Sequence, residues 1–249
     1  MKPATRVRVL IVLAFFLLLE ALCRTDVINN MTMIPPSQML VALWKMAWSG
    51  RLWKEFVSSI RNVAMSFFLA VLFGTLSGAV LHQMPRVRRV FDPLLASYYS
   101  VPFFALYPLF VVIFGLNDWP LILLGLVFSI VAVIVSTLNG IDRIPHVLLR
   151  TSRSFRMRRS STLALIILPA IVPQLFTGVK LALAYSFIGV LAGEFILAST
   201  GIGHGISFAY DSFDNETMYG LIAFTLILVT LMNMGILSLE RYFLKGRSR

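Results

Sequence analysis

Few side chains in this 249-residue sequence are spaced for chemistry. His82, His146 and His204 lie too far apart in sequence to read as a metal-ligand pattern. The fragment His204-Gly-Ile-Ser207 lacks the G-x-S-x-G turn that exposes a nucleophilic serine. No G-x-x-x-x-G-K-[ST] run is present to wrap a nucleotide's phosphates in backbone N–H groups. Cys23 is the single cysteine, which leaves no disulfide framework and no cysteine metal site. The expectation is a chain that is not an enzyme and needs no cofactor or metal.

The informative polar residues are those stranded in apolar surroundings. Glu194 follows an apolar run and precedes Phe195-Ile196-Leu197. A charge at membrane depth costs roughly 2.5–3.5 kcal/mol on insertion scales, so Glu194 is expected to face a bundle or pathway as a gate or dimer-contact residue. The competing reading is a capping residue near the outer interface. Lys180 lies too far along one helix to reach Glu194 and is expected to snorkel to the surface. Tyr98, Tyr99, Ser100 and Tyr107 flank Pro102 and Pro108, which break a helix ladder, so they either line a polar pathway or anchor at an interface. Arg150, Arg153, Arg156, Arg158 and Arg159 form a basic cluster. Within it Leu148, Ser152 and Phe155, at helical spacings of four and three, share a face that suits insertion into a partner's groove or packing on the chain's own bundle. Gly74, Ser77 and Gly78 permit close helix contact.

The elements that position these residues follow from composition. Hydrophobic residues make up 58% of the chain and charged ones 13%; soluble domains carry roughly 25% charged residues. Only a bilayer solvates that much apolar surface. The net charge of +11 sits in clusters between apolar runs, which reads as membrane topology and lipid-headgroup contact and not as nucleic-acid binding. Six segments approach the length of a span: 7–23, 62–81, 93–115, 120–138, 172–198 and 218–239. The first is read as a retained helix, because Glu20 interrupts it and no small-x-small cleavage site follows. Loops 82–92 and 139–171 are rich in arginine, whereas 116–119 and 199–217 have none. The positive-inside rule then puts both termini and the two arginine-rich loops in the cytoplasm. The stretch 24–61 resists this pattern, with Arg24, Lys45, Arg51, Lys54 and Arg61 on the outer side. Ser37 reads as an N-cap there, and Leu40, Leu43, Trp44, Ala47 and Trp48 repeat at helical spacing. The fold class is all-α and polytopic, with an N-terminal transmembrane helix and outer interfacial segment over 1–54, a membrane-spanning body over 55–240 and a basic cytoplasmic tail over 241–249.

From 150 to 203 the sequence resembles the permeases of binding-protein-dependent ABC importers. Their cytoplasmic loop carries E-A-A, three residues, G, nine residues, I-x-L-P. Ile166, Leu168 and Pro169 match its end, and Pro173, Gly178, Ala182 and Leu183 continue it. Pro102, Ala105, Pro108, Leu109, Phe114 and Gly115 match a run of the nitrate/sulfonate/taurine branch, as do Glu194 and Gly201-Ile202-Gly203. Ile34-Pro35-Pro36-Ser37 echoes that branch's opening, so the likeness covers 34–240.

The resemblance implies a type I importer permease in a bacterial inner membrane. Its partners would be ATP-binding-cassette ATPase subunits, a soluble substrate-binding protein, a second permease copy or related chain, and membrane lipid. It further implies that Leu148, Arg150, Ser152, Arg153, Phe155 and Arg156 form the ATPase-coupling segment, and that the solute is a sulfonate, nitrate, similar oxyanion or small heterocycle. Arg150 stands at the glutamate position, Ser152 at the second alanine and Arg156 at the glycine. Arginine at 156 either adopts a left-handed turn at a conformational cost or carries one helix straight through. An ion-gradient-driven secondary transporter is the alternative; it calls for inverted repeats and several intramembrane ionisable groups, for which only Glu20 and Glu194 qualify.

Overall fold

Alternation of long apolar runs with short basic or acidic breaks gives helices throughout the computed structural model, which describes residues 3–29 and 32–245. Arg247 and Arg249 of the expected basic tail lie outside the described residues. In chain order the helices are α1 (Pro3–Arg24), α2 (Pro36–Trp48), α3 (Arg51–Gln83), α4 (Pro85–Ser97), α5 (Tyr107–Phe114), α6 (Asp118–Asp142), α7 (His146–Ser154), α8 (Arg159–Thr162), α9 (Leu168–Leu197), α10 (Ile202–Asp211) and α11 (Asn215–Lys245). No strand occurs among the described residues. Contacts group the chain into one unit of Met1–Ser59 with Glu194–Val229 and another of Ile60–Gly193 with Thr230–Arg249.

The second unit is built around α6. Lipid tails are as apolar as leucine, so helices in a bilayer associate by close packing where small residues let backbones approach. A Cβ on Gly74 would fall 2.7 Å from Val133 and one on Gly78 the same distance from Thr137, so α3 lies against α6 and parallel to it. On another face α9 runs antiparallel: a Cβ on Gly178 would meet Ser136 at 2.7 Å, and one on Gly189 would stand 2.8 Å from the Cα of Gly125. The close contact expected of Gly74 and Gly78 is thus with α6. Both ends of α6 are tied by charge: Arg61 of α3 binds Asp118, and Arg88 of α4 donates twice to Asp142, at 2.9 and 2.6 Å.

Among the described residues four helical runs are long and apolar enough to cross a bilayer: Leu52–Gln83, Asp118–Asp142, Ser160–Asp211 and Asn215–Tyr242. The expected span 93–115 is bent instead, with Pro85–Ser100 and Phe103–Phe114 meeting at 91°. Pro102 has no N–H to donate and forces Val101 into extended backbone (ψ 127), so a helix cannot pass. The expected span 7–23 lies within α1, which is not one of those four runs, though its Leu10, Ile11, Leu13, Phe16, Leu17 and Leu18 are exposed. An apolar helix open on every side is solvated by lipid.

In the first unit Ser37 is not the N-cap expected of it. Proline's fixed φ lets α2 start at Pro36 without a side-chain cap. The Ser37 hydroxyl donates instead to Glu20 at 2.7 Å and its N–H donates to the same carboxylate at 3.0 Å. α2 also packs on α11, where a Cβ on Gly220 would lie 3.2 Å from Ala42. Three of the five basic residues that resisted the charge pattern are matched in place: Arg24 with Glu20, Lys45 with Glu216 and Arg61 with Asp118.

Gly189 tests the packing claim, because its neighbour is backbone and cannot yield. Gly189→Val should separate α9 from α6 and destabilise the detergent-solubilised protein by about 1–3 kcal/mol. Gly235→Val, at a glycine with open space, should not. A thermal unfolding scan distinguishes them, and equal midpoints would count against glycine-mediated packing.

Candidate coupling segment and solute pathway

α7 begins directly after Pro145 and ends in a left-handed turn. Arg156 has φ +48, its N–H donates to the Arg153 carbonyl at 3.0 Å, and the Met157 N–H donates to the Ser152 carbonyl at 3.0 Å. These two bonds are the Schellman closure of a helix, with arginine where glycine is usual. The straight-through helix is therefore ruled out, and position 156 carries the turn. The closure leaves Phe155 exposed at 77%, beside the exposed Arg150, Arg153, Arg156 and Arg158.

The stripe read as one docking face divides. Ser152 is buried at 4% and its hydroxyl donates to the Leu149 carbonyl at 2.9 Å, so it packs at home. Leu148 lies along an apolar groove with Leu165, Ile166, Pro169 and Pro173 of its own chain. Phe155 is the most exposed of the three, at 77% against 40% for Leu148. Beyond α8 the chain passes through a π-helical turn, Leu163–Ile167, into α9. Pro169 cannot donate to the Leu165 carbonyl, which loosens the ladder where the register widens.

The same unit holds a cavity of about 450 Å³ lined by Arg88, Asp92, Tyr99, Asn139, Thr177 and Tyr185 among others. The Tyr99 and Tyr185 rings lie 5.0 Å apart, tilted by 32°, and both stand on its wall. Arg88 is engaged by Asp142 and by Asp92 at 3.6 Å, and His82 approaches Asp142 at 3.2 Å. Tyr107 does not line the cavity: it is buried at 2%, and a Cβ on Gly193 would come within 3.3 Å of its ring. A short helix that opens against the bundle turns Tyr107 into a packing residue.

Glu194, buried at 1%, meets the start of α10, as its capping reading expects. Three successive N–H groups at the start of α10 meet three side chains: Gly201 donates to Glu55 at 2.6 Å, Ile202 to Ser59 at 2.8 Å and Gly203 to Glu194 at 3.0 Å. Ser59 in turn donates to Glu194 at 2.7 Å. Orphan N–H groups and the positive end of a helix dipole favour carboxylates here. Gly201, at φ +113, is required, since any side chain there would collide with the Glu194 carboxylate. Lys180 does not snorkel; its ammonium donates to both oxygens of Glu240 on α11, at 2.9 and 2.8 Å. Glu55, Ser59 and Glu240 escaped the sequence reading because their partners are distant in the chain.

These features define a class: a polytopic all-α membrane protein. Its fold matches two inward-facing structures of the MetNI methionine ABC transporter, at TM-scores of 0.64 and 0.68 and 19% identity, over 78% and 80% of this chain and 97% and 98% of those chains. Residues 70–249 match the binding-protein-dependent transport system inner membrane component family, and the chain belongs to that family. It is 29% identical over 221 residues to the taurine transport system permease protein TauC of Escherichia coli (strain K12), covering 87% of this chain and 80% of that one. The putative aliphatic sulfonates transport permease protein SsuC of Bacillus subtilis (strain 168) is also 29% identical, covering 87% and 79%. The nitrate import permease protein NrtB of Leptolyngbya laminosa is 26% identical, covering 74% and 66%. The chain is thus the permease subunit of an ATP-binding-cassette importer.

Arg156 gives a direct test of the turn. A left-handed non-glycine residue costs about 1 kcal/mol or more. Arg156→Gly should therefore raise the unfolding midpoint by about 2–4 °C, while Arg156→Val should lower it. A midpoint lowered by glycine would contradict the left-handed assignment.

Proposed function

We propose that this permease carries a small organic sulfonate or a comparable oxyanion, working as a pair of permease chains. ATPase subunits engage it at α7, and a soluble binding protein delivers solute on the opposite face. The observation that carries the coupling role is Phe155, an exposed aromatic held on a closed helix end amid exposed arginines. Buried aromatic anchors dominate interfaces of this kind. ATP hydrolysis belongs to the separate subunits. The arginine-rich loops and both termini face the cytoplasm in this reading, supported by the charge bias. Residues 55–240 form the permease body, 1–54 a membrane-anchoring addition and 241–249 a basic tail.

The cavity chemistry agrees with an oxyanion in transit. Tyr99, Ser136 and Asn139 offer hydroxyl and amide donors to sulfonate oxygens. Arg88 already answers to Asp92 and Asp142, so it adds no unpaired positive charge to trap an anion. Conduction needs binding weak enough to release.

The test is uptake into proteoliposomes holding this chain, its ATPase and its binding protein. Taurine or an alkanesulfonate should accumulate only with ATP. Phe155→Ala should weaken ATPase association by 2 kcal/mol or more, roughly thirtyfold, whereas Arg158→Ala should cost far less. Uptake that survives ATP depletion and collapses with the ion gradient would overturn the reading, as would normal ATPase assembly in Phe155→Ala.

A further inference from the structure

We propose that α2 is an interfacial anchor whose exposed indole face lies in the headgroup boundary of the bilayer at the Arg24 end of α1. This goes beyond the transport role and does not depend on the solute.

Depth is fixed twice. At one end, Ser37 in the first turn of α2 is held by Glu20 through its hydroxyl and its N–H, and Glu20 is also bound by Arg24, the last residue of lipid-solvated α1. Further along, Lys45 pairs with Glu216 at 2.7 Å, and Ala42 and Met46 pack on Gly220, all in the opening turns of α11. Tyr219 adds a bond to the Thr32 carbonyl at 2.5 Å. α2 is thus tied to the last turn of one apolar helix and to the first turns of another. Both ties lie where a span meets water.

Orientation follows from helical spacing. At 100° per residue, Ala42, Leu43 and Met46 occupy the arc turned to the protein. Leu40, Trp44, Trp48 and Val41 fill the opposite arc, exposed at 57%, 70%, 83% and 53%. Gln38 and Lys45 stand at its edge. The Trp44 and Trp48 rings stack at 6.3 Å, so the two indoles present one continuous face. An apolar arc bordered by a polar edge, held at a span's end and carrying tryptophan, fits the bilayer interface, where an indole has an apolar body and a wet N–H. Continuity with the lipid-exposed surface of α1 favours lipid over a protein partner as its occupant.

The experiment uses the purified full chain in nanodiscs of phosphatidylcholine and phosphatidylglycerol. Trp53→Phe/Trp119→Phe leaves Trp44 and Trp48 as reporters, and Trp44→Phe/Trp48→Phe leaves the other two. The difference between the variants keeps the test valid should one of them fold poorly. A nitroxide on the lipid headgroup should quench the Trp44/Trp48 emission on the order of twofold more than one deep in the acyl chain, as interfacial depth requires. Aqueous iodide should have little effect. Strong iodide quenching would place the face in water, stronger deep quenching would place it in the acyl core, and insensitivity to all three would mean a second protein covers it. Each of these overturns the proposal.

Discussion

A backbone N–H or C=O in the hydrocarbon core has no water to bind, so each must find its partner inside the protein. The described fold follows from that constraint. Long helices satisfy it along their length, and the breaks show where it had to be met otherwise. At Val101–Pro102 the chain turns through short 3₁₀ segments with local bonds from Phe103 and Ala105. At α10 three orphan N–H groups are met by Glu55, Ser59 and Glu194. At α6 the Asn117 side chain accepts from Trp119 at 2.8 Å. Backbone satisfied within each helix frees the helix surfaces for close approach, and α3 and α9 meet α6 through glycine.

Charge obeys the same rule. Lys180 with Glu240, Arg88 with Asp142, and Arg61 with Asp118 each join two helices, and the last two hold α6 at both ends. Lys180 and Glu240 are the least exposed of these, and breaking that pair would leave one charge stranded in apolar surroundings. The cavity lies beside α6, with Asn139 on one wall and Gln174 and Thr177 of α9 on another. α7 is joined to α6 through Arg143–Pro145 and to α9 through α8 and the π turn. On the proposed reading, a push on α7 reaches both walls. A solute path can change shape only if the two states bind partners differently, which places the energy in the ATPase contact.

Much of the fold was legible because it depends on local pattern. Apolar length marked four of the six expected segments as runs able to cross a bilayer, and Pro102 marked the break in the segment 93–115. The glycine position at 156 was visible as a departure, yet only geometry decides that arginine takes the left-handed turn. Long-range pairing was not legible. Glu194 read as a gate, a dimer contact or a cap because its burial was evident, while the N–H groups of a helix starting seven to nine residues later, and Ser59 far upstream, were not. Lys180 read as snorkelling for the same reason, with Glu240 sixty residues away. Tyr107 and Ser152 have the residue types of a pathway and a docking face, and packing alone assigns them to the interior.

The central claim is that α7 transmits the ATPase state to the cavity. Asn139→Cys in the assembled transporter measures it, through the rate of labelling by a water-soluble maleimide with and without ATP. Cys23, buried at 1%, adds little background. The account expects ATP to change that rate in the otherwise native chain and to leave it unchanged when Phe155→Ala is added. An equal response to ATP in both backgrounds would contradict it.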